Sequence, residues 1–446
     1  MGNLNAKKDV YFFSAVIKYF SKFIVPVIIL GMPLLYLTSC GSSVNPGSPA
    51  TTAPVMSPSP HPSGSTWYVS PTGSDSNPGT LSSPFKSITK AQTVAFSGDL
   101  VYLRGGTYNA FTIAGSDSNY NFVHNIVKSG IIYEAYPGET PVFDFSNITT
   151  EKRVAAFHIA SGVTDVTFIG LTVTGVPVGS QKQSECFRVE GNAEFVRVTC
   201  RDNAANGFYF TNKGSGSCTN CDAYNNRGTG ESLGNTDGFG AHSTGSIIFT
   251  GCRAWNNSDD GFDCIASTAS NTFDHCWAFN MKAGGDSNGF KIGGWGTATP
   301  PASVPVHVVT YCLAANNASH GFYANHHPGQ AAIWTSNTAY NNSRSNFNML
   351  ERVSPTDPTD IAGTREVMHY NLAYNGTNIE NANLAAGNVT DNSWNKSGVS
   401  VAVDDFVSTD VSQLTRPRAA DGSLPTITFM YLTSGSDLKG LGCFPD

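Results

Sequence analysis

Five Gly-Phe pairs, Gly207-Phe208, Gly238-Phe239, Gly261-Phe262, Gly289-Phe290 and Gly321-Phe322, recur at intervals of 23 to 32 residues. A second motif is interleaved with them. Cys221-Asp222-Ala223-Tyr224-Asn225-Asn226 is echoed by Cys252-Arg253-Ala254-Trp255-Asn256-Asn257, Cys276-Trp277-Ala278-Phe279-Asn280, Cys312-Leu313-Ala314-Ala315-Asn316-Asn317 and Asn337-Thr338-Ala339-Tyr340-Asn341-Asn342, with a last copy in Leu372-Ala373-Tyr374-Asn375. Leucine-rich and ankyrin repeats hold their periods more tightly. A parallel β-helix tolerates uneven spacing, because each coil stacks only on its neighbours and one loop per coil is free to lengthen. The 45 glycines and the low charged fraction, 13%, suit the same turn-rich class. The expected fold is therefore all-β: a single-stranded right-handed parallel β-helix.

In such a coil the recurrent asparagines stack as a ladder of side-chain amides. The recurrent cysteines read as an inward stack of small apolar side chains, since free cysteine is among the most buried residues. Nine cysteines follow Cys40, an odd number that forbids a complete set of disulfides within one chain. Whether Cys186, Cys218, Cys264 or Cys443 form bridges stays open at this point. Asp99–Tyr108 and Val163–Phe168 alternate as strands and read as the first coils. Residues 83–95, with Ile88, Ala91, Val94 and Ala95 at helical spacing, predict a short amphipathic helix capping the open N-terminal end.

The N-terminus runs from Lys7, Lys8, Lys18 and Lys22 into the apolar stretch Phe23 to Leu37 and ends in Leu37-Thr38-Ser39-Cys40-Gly41. That order resembles a bacterial lipoprotein signal, which implies a signal peptide over 1–39 and a lipid on Cys40; a plain transmembrane anchor or an uncleaved start is the alternative. Residues 40–66 are rich in Ser, Pro, Gly and Thr and read as a tether, leaving 67–446 as the folded domain. A secreted or cell-surface, lipid-anchored monomer is the expectation. The formal charge is −7, and the signal segment holds four lysines against one aspartate, so the mature chain is more acidic still. A nucleic-acid partner is excluded on that ground.

Aligning the coils on Gly-Phe places Asp237 and Asp260 at equivalent positions just before the pair, with Asp259 before and Asp263 after. Each residue after the inward Phe points outward by strand alternation, so Asp263 and Lys291 share an outer face. Coils stack at about 4.8 Å, so these carboxylates lie close together. An exposed loop of such carboxylates calls for a hard cation bound through oxygen, and Ca²⁺ is the expected cofactor; a solvated acidic rim is the bland alternative. Lys291 taken alone reads as a solvated strand residue, and its place beside the aspartates gives it another meaning.

Asn235-Thr236-Asp237-Gly238-Phe239, Asp259-Asp260-Gly261-Phe262-Asp263 and Asn288-Gly289-Phe290-Lys291 resemble the site of the polysaccharide lyase family nine pectate lyases. Trp67 to Asp75, Gly105-Gly106-Thr107-Tyr108 and the tail segments Pro417–Pro425 and Gly435–Leu438 are similar to that family as well. The resemblance implies Ca²⁺ on Asp237, Asp259, Asp260 and Asp263. It also implies proton abstraction by Lys291 and β-elimination of an acidic plant cell-wall polysaccharide such as polygalacturonate. The lysine is expected to have a depressed pKa or to work at alkaline pH. Arg253, Arg344 and Arg352 are candidate uronate contacts. A rhamnogalacturonan lyase of the same family and a noncatalytic carbohydrate-binding β-helix remain alternatives. An inverting polygalacturonase fits less well, because His320-Gly321 follows Ser319 and no Arg-x-Lys comes after it.

Overall fold

A computed structural model describes residues 64–444 except 150, 297–299, 302–303, 329–331, 355 and 386. The signal and most of the tether lie outside the described residues. The chain winds into stacked coils whose short strands build three long sheets of twelve, ten and eleven strands. Every pairing within them is parallel except Gly115–Ser116 against Tyr120–Ile126, at one end of the eleven-stranded sheet. A small three-stranded sheet, His327–Pro328, Leu350–Ser354 and Asp357–Ala362, stands apart from the stack.

The two repeated motifs explain the stack together. Phe157, Phe187, Phe208, Phe239, Phe262, Phe290, Phe322 and Phe347 form one inward column, with successive ring centroids 4.8 to 5.4 Å apart. Offset stacking at this spacing adds to the burial of each ring. The glycine before each Phe is dictated by close approach. A Cβ at Gly261 would lie 2.6 Å from the carbonyl oxygen of Gly289 and 2.9 Å from the methyl of Ala278, and Gly238 meets Gly261 and Ala254 in the same way. The glycine of one motif is thus packed against the alanine of the other.

The paired asparagines divide their work. The first of each pair, such as Asn225, Asn256, Asn316 and Asn341, turns the chain with φ of 53 to 55°, a left-handed conformation that asparagine tolerates better than most residues. The second is buried and hydrogen-bonds from coil to coil. Asn317 accepts from the Met281 amide at 3.1 Å and donates to Ala278 O at 3.1 Å and to Asn342 Oδ1 at 2.8 Å. Replacing Asn317 by alanine strands a buried amide and a buried carbonyl, so urea melts are expected to show a loss of about 2 to 3 kcal/mol. A loss below about 0.5 kcal/mol would show that the ladder is ornamental.

All nine cysteines of the described residues are buried and free, so none of Cys186, Cys218, Cys264 and Cys443 is bridged. Cys221, Cys252, Cys276 and Cys312 line the core as the repeat predicts, and Cys200 joins them there.

The capping helix spans Ile88–Val94, shorter than the 83–95 expected. Phe85 is held in extended pairing instead: its amide donates to Tyr68 O and its carbonyl accepts from the Ser70 amide, both at 2.8 Å. The helix starts only where Ser87 caps it by accepting from the Lys90 amide. Ile88 and Ala91 then close the core end. The C-terminal segment packs Leu414, Ile427, Phe429 and Leu438 over Trp255, Trp277, Phe279 and Leu313 on the ten-stranded sheet.

Candidate active site

The eleven-stranded sheet carries a continuous outward row across its coils. In register it reads Arg188, Tyr209, Gly240, Asp263, Lys291, Tyr323, Asn348. Asp263 and Lys291 are direct neighbours on strands Phe262–Asp263 and Phe290–Lys291, as strand alternation predicts. Asp237 and Asp260 precede their strands at equivalent positions, and the Asp260 amide donates to Asp237 Oδ1 at 3.1 Å. Asn206 holds the Asp237 amide at 2.6 Å. Asn288 donates its own amide, 2.7 Å, and its side-chain NH₂, 2.9 Å, to Asp260 Oδ1. The coil repeat therefore supplies both the carboxylates and the side chains that orient them.

The four carboxylates are buried rather than set on an exposed loop. Burial, then the charges of Asp259, Asp263 and Asp260, push the Asp237 carboxyl well above the usual range. Asp260 is raised in the same way, chiefly by burial. Asp259 rises to about 6, again through burial, although Lys291 opposes it. A carboxyl whose folded value stands above its unfolded one stabilises the fold while protonated and withdraws that contribution as pH rises through the folded value. Thermal melts of the metal-free protein are therefore expected to fall as pH rises from the ordinary aspartate value of 3.8 through about 6. Saturating calcium should remove that fall, and a metal-free Tm that stays flat across this window would contradict the account.

Oxygen atoms of Asp237, Asp259 and Asp260 lie within 4.8 Å of one another. Asp260 Oδ2 is buried without a hydrogen-bond donor, although the Lys291 ammonium is 3.2 Å away. Converging carboxylate oxygens, one of them unsatisfied, fit a hard divalent cation such as Ca²⁺.

Lys291 is buried, with Nζ 2.8 Å from Asp286, 3.2 Å from Asp260 and 3.3 Å from Asp263. Burial disfavours its charge, but Asp263, Asp260 and Asp286 outweigh burial and raise the lysine far above its ordinary value.

Two residues of the site escaped the sequence reading. Asp286 lies in the connection between strands Trp277–Phe279 and Phe290–Lys291, whose length varies from coil to coil. Its amide donates to Asp259 Oδ1 at 2.6 Å, and a Cβ on the adjoining Gly285 would collide with that oxygen at 2.2 Å. His242 lies on the Asp237 coil, in strand Phe239–Ser243 two coils toward the N-terminus from Lys291, with Nε2 4.0 Å from Asp237 Oδ2. Its only signal in the sequence is an inward-outward alternation shared with many surface histidines.

Beside Lys291 an open groove of about 560 Å³ is lined by Asp286, His320, Tyr323, Asn325, His326 and Arg344. Asn348 donates to His320 Nε2, so Nδ1 carries the proton given to Ser345 Oγ at 2.7 Å. Burial and the Arg344 charge hold this imidazole neutral, at about 4. Of the three arginines expected at the substrate, only Arg344 lines the groove. Arg253 is instead buried in a clamp on Asp222, at 2.8 and 2.9 Å, and donates to the Leu414 and Arg416 carbonyls of the C-terminal segment. Arg352 stands on the small sheet, 3.9 Å from Asp360.

A family model described as Pel9A-like, right-handed β-helix region, matches residues 67–378. The chain belongs to this family. Pectate lyase L of Dickeya chrysanthemi is 30% identical over 389 residues, covering 84% of this chain and 85% of that protein. Pectate lyase PEL9 of Emericella nidulans is 29% identical over 416 residues, covering 83% and 93%. Among solved structures, a rhamnogalacturonan lyase superposes with a TM-score of 0.78 at 36% identity, over 85% of this chain and all of that one. Pectate lyase Pel9A superposes with a TM-score of 0.65 at 27% identity, over 84% and 91%. This member of the Pel9A-like family is a polysaccharide lyase, and its fold is the right-handed parallel β-helix that the repeats predict.

Proposed function

We propose that this lyase cleaves polygalacturonate by β-elimination, with Ca²⁺ on Asp237, Asp259, Asp260 and Asp263 and with Lys291 as the base. The observation that carries the reading is one amine buried among these carboxylates on the outward row of the sheet, beside an open polar groove. When bound, the cation withdraws charge from the uronate carboxylate and so acidifies the proton on C5. Lys291 Nζ takes that proton. The electron pair left on C5 forms the C4=C5 double bond, and the glycosidic oxygen on C4 leaves and is protonated by solvent. Only the neutral amine accepts a proton, and Asp260, Asp263 and Asp286 favour the ammonium, so the rate should climb toward alkaline pH. Arg344 is placed to pair with a uronate carboxylate in the groove.

A second reading, the rhamnogalacturonan backbone as substrate, is favoured by the higher identity and TM-score of the rhamnogalacturonan lyase. Incubating the purified protein separately with polygalacturonate and with rhamnogalacturonan, and following ultraviolet absorbance of the unsaturated ends, separates the two. Absorbance from polygalacturonate supports the first reading and absorbance from rhamnogalacturonan alone supports the second. Reducing ends without absorbance from either would overturn both. The basic, then apolar, then small-residue-plus-cysteine order of the N-terminus supports export and a lipid anchor on Cys40. On this reading the enzyme acts at the cell surface on an extracellular polymer.

A further inference from the structure

His242 is held in a way that the aspartate cluster alone does not explain. Its Nδ1 lies 3.0 Å from the Ile265 carbonyl oxygen, which accepts only, so Nδ1 carries a proton. Nε2 is buried with no hydrogen-bond partner, and it faces Asp237 Oδ2 at 4.0 Å. Neither protonation state satisfies that atom. An unprotonated Nε2 presents its lone pair to a carboxylate, and a protonated one leaves a buried N–H too far from the carboxylate for a hydrogen bond. A cation between the two atoms satisfies both at once. A backbone carbonyl fixing the far nitrogen of the ring is also the usual support of a metal-bound histidine.

The surroundings keep the ring in this pose. Tyr209 packs against it with centroids 5.0 Å apart. Gly240, in register with Asp263, supports it from beneath: a Cβ there would lie 2.7 Å from Nε2 and 2.9 Å from Cδ2. Gly240 has no left-handed backbone, so space for the imidazole is the reason for glycine here. Ligand atoms of Asp237, His242 and Asp263 lie within 4.8 Å of one another, a span that one ion at about 2.0 to 2.4 Å from each can bridge.

We propose that His242 Nε2 is a nitrogen ligand of the cation pocket. The pocket is then a mixed nitrogen and oxygen site that takes Mn²⁺, and Co²⁺ more strongly, alongside Ca²⁺. The inference rests on reading the acidic cluster as a cation site, and it predicts a metal preference that an all-oxygen pocket lacks.

The test loads the purified protein with Mn²⁺ and records electron spin echo envelope modulation. Wild type should show a directly bound imidazole nitrogen, and His242→Gln should bind Mn²⁺ without it. By calorimetry the same variant should lose at least about tenfold in Co²⁺ affinity, while Ca²⁺ affinity changes much less. Mn²⁺ bound by wild type with no nitrogen coupling overturns the role of His242 and leaves the carboxylate site standing. Failure of wild type to bind Mn²⁺, Co²⁺ or Ca²⁺ at all overturns the cation reading itself. The wild-type spectrum decides even if the variant does not fold.

Discussion

Lys291→Ala is expected to lower kcat by about three orders of magnitude, the usual span for removal of a general base, while calcium binding persists. Calorimetry should show Ca²⁺ affinity unchanged or tighter, because the ammonium within 3.3 Å of Asp260 and Asp263 competes with a cation for those oxygens. Lys291→Arg should be as inactive, since a guanidinium keeps its proton at any working pH. The metal-free alanine variant should also melt lower than wild type, having lost the only cation within salt-bridge distance of Asp260, Asp263 and Asp286 among the described residues. Initial rates by ultraviolet absorbance, with a calcium titration on the same sample, check all of this. Full activity in the alanine variant would remove Lys291 from the chemistry.

Chelation should have a comparable effect by a different route. Stripping the protein with EDTA is expected to abolish turnover and to restore it on adding Ca²⁺. Calcium at a hundred times its Kd should stabilise the fold by about 2.7 kcal/mol, seen as a concentration-dependent rise in Tm. The stabilisation arises because burial, joined by neighbouring carboxylate charges, makes ionisation of Asp237, Asp259 and Asp260 costly, and a bound cation offsets that cost. Asp260→Asn, which keeps an oxygen to accept from Asn288 but gives up the charge, should lose the calcium-dependent part of Tm. A calcium-independent Tm together with EDTA-resistant activity would contradict the site.

What could be read from the sequence was whatever the coil repeat encodes. Period and register follow from Gly-Phe and from Ala-aromatic-Asn-Asn because one coil's glycine packs on another's alanine, so counting along the motif places Asp263 beside Lys291. Asp237 and Asp260 align for the same reason. Features that depend on where a loop returns were invisible. Asp286 reaches Lys291 from a connection whose length varies from coil to coil, and the Arg253 clamp depends on a tail more than 160 residues away in sequence. Arg253 follows a motif cysteine as a surface residue might, and only the docking of the tail buries it. The sign of the Lys291 shift was also hidden, since burial and three carboxylates act in opposite directions and the balance is set by distances. The helix start was misplaced because Phe85 pairs with Tyr68 and Ser70, a tertiary contact that overrides local periodicity.

The mass of the new non-reducing end tests the central claim most directly. Wild-type protein with calcium is incubated with a defined oligogalacturonide or rhamnogalacturonan fragment, and the products are weighed by mass spectrometry. Elimination through Lys291 predicts fragments one water lighter than hydrolysis would give, carrying the 4,5-unsaturated uronate. Saturated fragments, with one water added at the cleaved bond, would contradict it.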